Sequence, residues 1–217
     1  MSTVISNAVT ALSGNLALAP EGTGVVTVDG LTFPSADGSA NQIIKTNGSG
    51  VLSFTDAPSA GLTISAEQAT TSGSGVTFGS IPTGTKRIHV MLEGVSSNGG
   101  NNVEIQLGDA GGIETSGYLG CAMRAHGDNT TGVVTTDAAT ILQSTGAGDT
   151  FHGMVTCVLK DSTNHTWVMS GCTGDHTNAG TATFMGYSKS LSAELTQVKV
   201  LLSGGTYDAG SIAIAFD

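Results

Sequence analysis

Apolar residues alternate with polar ones along several segments of residues 61–217. A period of two residues is typical of β-strands that have one face in a core. The alternating segments are 88–92, 103–107, 151–159, 198–202 and 212–216. Loops rich in Gly, Asn, Ser and Asp separate them, and only 191–200 is also compatible with a helix. This spacing predicts an all-β fold, an antiparallel and jelly-roll-like β-sandwich of about eight to ten strands.

The composition favours short strands and tight turns over disorder. Glycine occupies 32 of the 217 positions, and charged residues make up only 11% of the chain. Disordered chains combine low hydrophobicity with high charge, whereas 39% of the residues here are hydrophobic. Glycine and threonine in such proportions suit a protein made of strands and turns.

Residues 1–60 differ in composition from residues 61–217. They hold three of the four prolines, and DAPSAG at 56–61 predicts a linker. Their short apolar pieces, separated by Asp-Gly and Asn-Gly turn signals, are too small to form a core in one chain. Three chains wound about one axis would cover each other's strand edges. We therefore predict a homotrimer, in which 1–60 is an anchor and an extended β shaft. The predicted trimer-shaft residues are Phe33, Ile43, Ile44, Leu52 and Phe54.

The segment LTFPSADGSANQIIKTNGSGVLSFTD (31–56) resembles a repeat found in tail-fibre and other appendage proteins of tailed bacteriophages. The repeat has an aromatic residue, Pro, Asp-Gly, Gln, two aliphatics, Lys, a Gly-Ser-Gly turn and an apolar strand. The residues at these positions are Phe33, Pro34, Asp37, Gly38, Gln42, Ile43, Ile44, Lys45, Gly48, Gly50, Leu52 and Phe54. Fibres usually repeat the pattern, and this chain has a single clear copy.

Residues 61–217 resemble the β-domains found at the C-terminal ends of tail fibres. The segments that carry this resemblance are FGSIPTGTKRIHVMLEGVSSNG (78–99), QLGDAGGIETSGYLG (106–120), TWVMSG (166–171), SKSLSAELTQVKV (188–200) and TYDAGSIAIAF (206–216). Together the two resemblances imply a structural virion protein. Its residues 1–30 would dock on other virion proteins, tail or capsid, and its sandwich would contact the host.

Three functions remain open after these resemblances. A short trimeric tail fibre is favoured because both resemblances are to fibre proteins. A capsid-decorating protein (a head fibre or cement protein) is the alternative, since a chain that begins at Met1 leaves little room for a long shaft. A polysaccharide depolymerase is disfavoured. It needs two carboxylates facing each other across a groove, and the acids here lie mostly in loop segments.

The charge distribution excludes two classes of partner. The formal net charge is −10, and the seven Lys and Arg residues do not cluster. Nucleic-acid binding needs a basic surface, so we expect no nucleic-acid partner. No apolar run approaches the ~18 residues of a membrane span, and the N-terminus has no signal-peptide pattern. We expect a protein made in the host cytoplasm and placed on the virion surface, without membrane insertion.

The remaining motifs predict no enzyme, cofactor or metal site. There is no G-x-S-x-G motif, and the Gly-rich stretches 71–75 and 203–210 do not lie between a strand and a helix. The His/Asp pairs at 126–128 and 175–176 are too few to hold a metal. Cys121, Cys157 and Cys172 are odd in number and widely spaced, so we expect three buried thiols without disulfides.

Polar loops of the sandwich are the candidate receptor-contact sites. Successive loops of an antiparallel sandwich tend to alternate between its ends. On this basis we expect loops 94–102, 124–132, 160–166 and 188–193 at one end. If 72–75 is a hairpin turn, that end is the distal one, and it mixes donors and acceptors suited to a surface glycan. The candidate contact residues are Arg124, His126, Asp128, Asn129, Asp161, Asn164 and His165. Trp167, close to this group, is expected to pack in the core.

Overall fold

The computed structural model describes residues 26–57, 61–144, 146–177 and 180–217, and it divides the chain into units 1–60 and 61–217. The expected docking segment 1–30 lies mostly outside the described residues. In the first unit the strands are β1 (Thr27–Val28), β2 (Leu31–Thr32), β3 (Gln42–Thr46) and β4 (Leu52–Asp56), which form the antiparallel pairs β1–β2 and β3–β4. Among the described residues no helix is long and apolar enough to cross a membrane.

The β3–β4 hairpin explains several residues of the fibre-like segment. The ring of Phe54 lies over Gly38, where a Cβ atom would come within 2.7 Å of the ring carbons. The Gln42 amide accepts a hydrogen bond from Ser39 N (2.9 Å) and donates one to Asp56 Oδ1 (3.0 Å). Gly38 and Gln42 therefore hold the loop that precedes the hairpin against its second strand.

The second unit is an antiparallel β-sandwich, as the alternation predicts. One sheet has nine strands in the order β12-β11-β16-β15-β14-β8-β18-β5, with β6 also paired to β18. The other has five, in the order β10-β9-β17-β7, with β13 also paired to β9. The strands are β5 (Thr63–Ile64), β6 (Gln68–Ala69), β7 (Gly75–Phe78), β8 (Arg87–Ser97), β9 (Val103–Asp109), β10 (Gly112–Ile113), β11 (Leu119–His126), β12 (Asn129–Val133), β13 (Ala139–Leu142), β14 (Phe151–Asp161), β15 (Thr166–Asp175), β16 (Thr181–Ser190), β17 (Gln197–Leu202) and β18 (Tyr207–Phe216).

The strands outnumber the eight to ten that the sequence predicts in 61–217. Several of the additional ones, such as β5, β6 and β10, have only two residues. Two residues are too few to show an alternation, because a period of two needs several repeats to be recognised. The ambiguous segment 191–200 contains the start of β17, not a helix.

The core lies between the two sheets and uses one set of alternating positions. On the large sheet this set includes Ile88, Val90, Val155, Trp167 and Ile214, all buried. On the five-stranded sheet Ile105, Leu107, Val198 and Val200 belong to the same buried cluster. The expectation that Trp167 packs in the core is confirmed, since its side chain is only 2% exposed.

Two expectations about the sandwich are wrong. Residues 72–75 are not a hairpin turn, because β6 pairs with β18 of the large sheet whereas β7 pairs with β17 of the other. The chain crosses between the sheets there, and Gly73 adopts a left-handed φ of 75° in the crossover. The cysteines are also not all buried, since Cys121 and Cys172 are exposed and only Cys157 is in the core. The two exposed thiols occupy alternate positions that face away from the second sheet.

Glu104 is a buried carboxyl on β9, only 6% exposed. Burial raises its pKa and the charge of Asp137 raises it further, against a hydrogen bond from Thr140. A carboxyl whose pKa is raised by folding favours the folded state when protonated and disfavours it when ionised. The ionised side chain therefore costs stability at neutral pH, and that cost disappears as the pH falls through the raised pKa.

We expect the substitution Glu104→Gln to raise the melting temperature at pH 7 by a few degrees, because a neutral amide avoids burying the charge. The gain should shrink towards pH 4, where Glu104 itself becomes neutral. Thermal unfolding followed by circular dichroism at both pH values checks this, with the exposed Asp208→Asn as control. A loss of stability at pH 7 would contradict the assignment of Glu104 as a destabilising charge.

Candidate receptor-contact surface

The candidate receptor-contact residues lie at two opposite ends of the nine-stranded sheet. On β16, Thr181 pairs with His126 of β11, and Ser190 pairs with Thr166 of β15. The strand from Thr181 to Ser190 has ten residues and spans roughly 30 Å at ~3.4 Å per residue. We call the two ends the His126 end and the His165 end.

The expected grouping of loops is therefore wrong. Loops 94–102 and 124–132 do share the His126 end, but 160–166 and 188–193 lie at the other end, because β14 and β16 finish there. Strict alternation of loops fails because the chain moves between sheets at β9 and β13 before it enters the β14–β15–β16 meander. Each crossover between the sheets changes the end of the sandwich at which the following loops lie.

At the His126 end, Arg124 and His126 lie on the same side of β11 as the buried Ala122. His126 Nδ1 is 2.5 Å from Thr181 Oγ1. The Arg124 Nε atom is buried and has no hydrogen-bond partner. Asp128 lies in the two-residue turn before Asn129, which begins β12. These residues form a hairpin end that carries a guanidinium group, an imidazole, a carboxylate and an amide.

At the His165 end, Asp161 and Asn164 stabilise their own turn. Asp161 Oδ1 accepts hydrogen bonds from the N–H groups of Thr163 (2.8 Å) and Asn164 (3.2 Å), and Asp161 Oδ2 accepts one from Asn164 Nδ2 (2.8 Å). These hydrogen bonds hold the pKa of Asp161 below its usual value, and the bond from the Asn164 side chain contributes most. Both residues therefore have a structural task in the hairpin.

His165 is the third candidate at this end, and it lines a cavity of about 210 Å³. Its φ of 46° is left-handed, a conformation that histidine tolerates better than most residues. The other lining residues are Thr85, Leu159, Ser162, Trp167, Glu194 and Leu195. Glu194 Oε1 accepts a hydrogen bond from Gly84 N (2.7 Å), so this lining residue is bonded to the loop before β8.

Trp167 contributes an unsatisfied donor beside this cavity. Its indole Nε1 is buried and has no hydrogen-bond partner. A buried donor without an acceptor costs free energy and is rare in native structures. The cavity is smaller than the roughly 300–1,000 Å³ of pockets for drug-sized ligands, so it matches at most one sugar ring with its hydroxyl groups.

A second, open groove of about 400 Å³ brings together residues that the sequence did not connect. It is lined by Glu67, Met91, Leu92, Glu93, His152, Ser211 and Ala213. Glu67 and Glu93 are both exposed. A glycosidase general acid needs an environment that disfavours its charge, and two solvated carboxylates do not provide one. Among the described residues no group of three or more His, Cys, Asp or Glu side chains is placed to hold a metal.

Comparison of the chain with protein-family models, with curated proteins and with solved structures found no match.

Proposed function

We propose that this chain is a structural protein of a tailed-bacteriophage virion, a short trimeric tail fibre that displays a host-contacting β-sandwich. The proposal starts from the resemblance of 31–56 and 61–217 to fibre proteins. It is supported by the separate β-hairpin unit, in which Gly38, Gln42 and Phe54 of the fibre-like segment interact as a set.

The observation that carries the proposal is the missing core of the first unit. Between residues 26 and 57 no side chain is buried. Val28, Leu31, Ile43, Ile44 and Val51 are exposed, although all five are apolar. A two-stranded hairpin is marginal by itself, and these side chains leave water when other chains pack on them. A trimeric shaft covers them and also covers the edges of the hairpin.

A capsid-decorating protein is the alternative, and the size of the hairpin favours it. Strands β3 and β4 have five residues each, which corresponds to roughly 17 Å of shaft at ~3.4 Å per residue. So short a stem suits a protein that sits close to its docking surface. A depolymerase is disfavoured by the two solvated carboxylates in the open groove.

We place the proposed host contact at the His165 end because the cavity lies there. The sandwich also begins at this end, since Thr63 of β5 pairs with Phe216, which pairs with Ile88. We expect phage carrying His165→Gly to adsorb to host cells about tenfold more slowly, since the variant removes the imidazole wall of the cavity. Glycine is chosen because it accepts the left-handed backbone. Adsorption is measured by counting free phage over time with purified virions.

The matched control is His126→Ala/Asp128→Ala at the opposite end of the sheet, which should leave adsorption unchanged. Immunoblotting of the virions verifies equal incorporation of each variant. Absence of the wild-type chain from purified virions would refute the virion role itself. Normal adsorption of His165→Gly would refute only the contact site, and labelled antibodies in electron micrographs would separate tail from capsid.

A further inference from the structure

The outer face of the nine-stranded sheet is apolar where solvent would normally demand polar residues. An antiparallel sheet with one solvated face alternates apolar and polar side chains. Here one cross-strand row, which passes over six neighbouring strands, is apolar throughout. In strand order it consists of Met123, Phe184, Cys172, Met154, Met91 and Ala213, each in register with the next.

Four of these side chains are well exposed in the single chain, namely Met123, Phe184, Cys172 and Met154, whereas Met91 and Ala213 are partly exposed. Phe184 is 53% exposed, Met123 50% and Met154 46%. Leu119, Val158 and Val168 add a second apolar group about four residues further along the strands, and all three are exposed. We call the residues of these two groups, with the row between them, the outer face.

The outer face is also uncharged at its centre. The row between the two apolar groups consists of Cys121, Gly186, Ser170, Thr156, His89 and Ala215, again in register. It contains no Asp, Glu, Lys or Arg, and His89 Nδ1 is 2.9 Å from Thr156 Oγ1. Charged side chains lie at the margin, where Arg87, in register with Val158, pairs with Asp217. Glu67 and Glu93 line the open groove together with Met91 and Ala213.

The size of the outer face is at the lower limit of a stable protein interface. Six strands about 4.8 Å apart and rows that span four to six residues cover roughly 400–600 Å². Two such faces together reach the roughly 1,000 Å² that a biological interface needs, and apolar patches of about this size on monomers are often functional. Water contact over this area is unfavourable by the ordinary hydrophobic effect.

We infer that the outer face is covered by the same face of another copy of this chain. Elsewhere copies repel each other, since each carries a net charge of −10, but the centre of the outer face has no charge to oppose the contact. Flexible Met side chains repack readily against themselves, and an interface between identical patches is self-complementary. An anionic membrane is a poor occupant, because the chain as a whole is acidic.

This interface is separate from the trimeric shaft proposed for the hairpin unit, and it does not depend on the virion role. Two parts of one chain thus expose apolar side chains independently. Self-association covers both without requiring a second kind of protein.

The exposed thiols provide a direct test on the full-length chain. Cys121 and Cys172 lie on the outer face and are exposed in the single chain, whereas Cys157 is in the core, where burial raises its pKa to about 12. In reduced wild-type protein at micromolar concentration we expect a mass that is a multiple of 21.6 kDa. We also expect no fast-reacting thiol towards an aromatic disulfide reagent.

The variant Met154→Glu/Phe184→Glu places two like charges on the face of every copy. It should expose two fast thiols per chain, reacting about tenfold faster or more than in the wild type, while circular dichroism stays native. The control Thr63→Glu/Thr77→Glu adds the same charges at exposed positions off this face and should keep both thiols protected. Two fast thiols in the wild type would overturn the inference.

The shaft proposal fails or survives separately in the same experiment. If the wild type is oligomeric but both thiols react fast, and if Ile43→Ser/Ile44→Ser makes it monomeric, the hairpin unit holds the oligomer and the outer face is free. That outcome overturns the inference and leaves the trimeric shaft intact. If Ile43→Ser/Ile44→Ser remains oligomeric with protected thiols, the outer face forms the interface.

Discussion

Replacing Gly210 by alanine is expected to destabilise the sandwich by roughly 3 kcal/mol or more, among the largest effects of any single substitution in this chain. Gly210 has a φ of 89°, which disfavours any residue with a Cβ atom. A Cβ atom there would also lie 2.3 Å from the carbonyl carbon of Gly94 on the neighbouring strand β8. Backbone cannot move aside as a flexible side chain can, so the strands must separate.

The position matters because β18, β8 and the segment that follows β6 meet there. The pairing of β18 with β8 is irregular between Ala209 and Ser211, and Gly210 occupies that irregularity. Its carbonyl accepts a hydrogen bond from Thr70 N (2.8 Å), and the carbonyl of Ala209 accepts one from Thr70 Oγ1 (2.8 Å). A shift at Gly210 therefore disturbs both the bulge and the segment that follows β6.

Urea unfolding followed by tryptophan fluorescence measures the effect, since the single Trp167 is in the core. The matched control is Gly174→Ala on β15, where an added Cβ atom meets nothing within 4 Å. That variant should lose less than about 1 kcal/mol. Equal stability of the two variants would show that the bulge at Gly210 is not tightly packed.

Replacing Lys189 by methionine is expected to cost about 2–4 kcal/mol, because it leaves a partly buried carboxylate without its cation. Lys189 lies on β16 and is only 5% exposed. Its Nζ pairs with Glu114 Oε2, donates a hydrogen bond to the carbonyl of Ser190 (2.6 Å) and lies 5.8 Å from the centre of the Tyr118 ring. Tyr118 in turn accepts a hydrogen bond from Leu107 N (2.6 Å), which links the pair to the second sheet.

The pH dependence of this loss follows from Glu114. Burial opposes ionisation of Glu114, but the hydrogen bonds from Lys189 and Ser192 outweigh it and hold its pKa below the usual value. A carboxyl with a lowered pKa contributes stability that is present above its unfolded pKa and lost as the pH falls through its folded pKa. The difference between wild type and Lys189→Met should therefore be full at pH 7 and should shrink below pH 4.

Urea unfolding at pH 7 and at pH 3.5 tests this prediction. Lys160→Met, at an exposed position of β14, removes the same charge without a buried partner and should have little effect. The double variant Lys189→Met/Glu114→Gln should be more stable than Lys189→Met, since it no longer leaves a charge unpaired. If Lys189→Met left the free energy of unfolding unchanged at pH 7, the pair of Lys189 and Glu114 would not stabilise the fold.

Much of the sandwich was predictable because alternation is a local signal. The sets Ile88, Val90 and Ile105, Leu107 each identify a strand and its buried face without any knowledge of the partner strand. The fibre-like segment was also local, since the turns at Asn47 and Gly48 and the contact of Gly38 with Phe54 all fall within about twenty residues. The role of 1–60 in assembly and the virion role remain predictions.

The candidate site was only partly predictable, because it depends on which strands become neighbours. Asp161, Asn164 and His165 belong to one hairpin, so the sequence alone places them close together. Their grouping with His126 was wrong, since the end at which a loop lies is decided by every crossover before it. The cavity beside Trp167 needed Glu194 and Thr85, which are far away in sequence.

The outer face had a sequence signal that was not used. Along β14, β15 and β11 the positions between the core residues include Met154, Val158, Val168, Cys172 and Met123, so both alternate sets are apolar. Strands of this kind are typical of sheets that are covered on both faces. The sequence by itself determined that both faces of these strands carry apolar side chains, because side-chain polarity is a property of each residue. Only the tertiary structure decided which set enters the core and which remains outside. Strand order and register are cooperative choices among distant segments, and they place Met123, Phe184, Cys172 and Met154 side by side where the second sheet does not reach them.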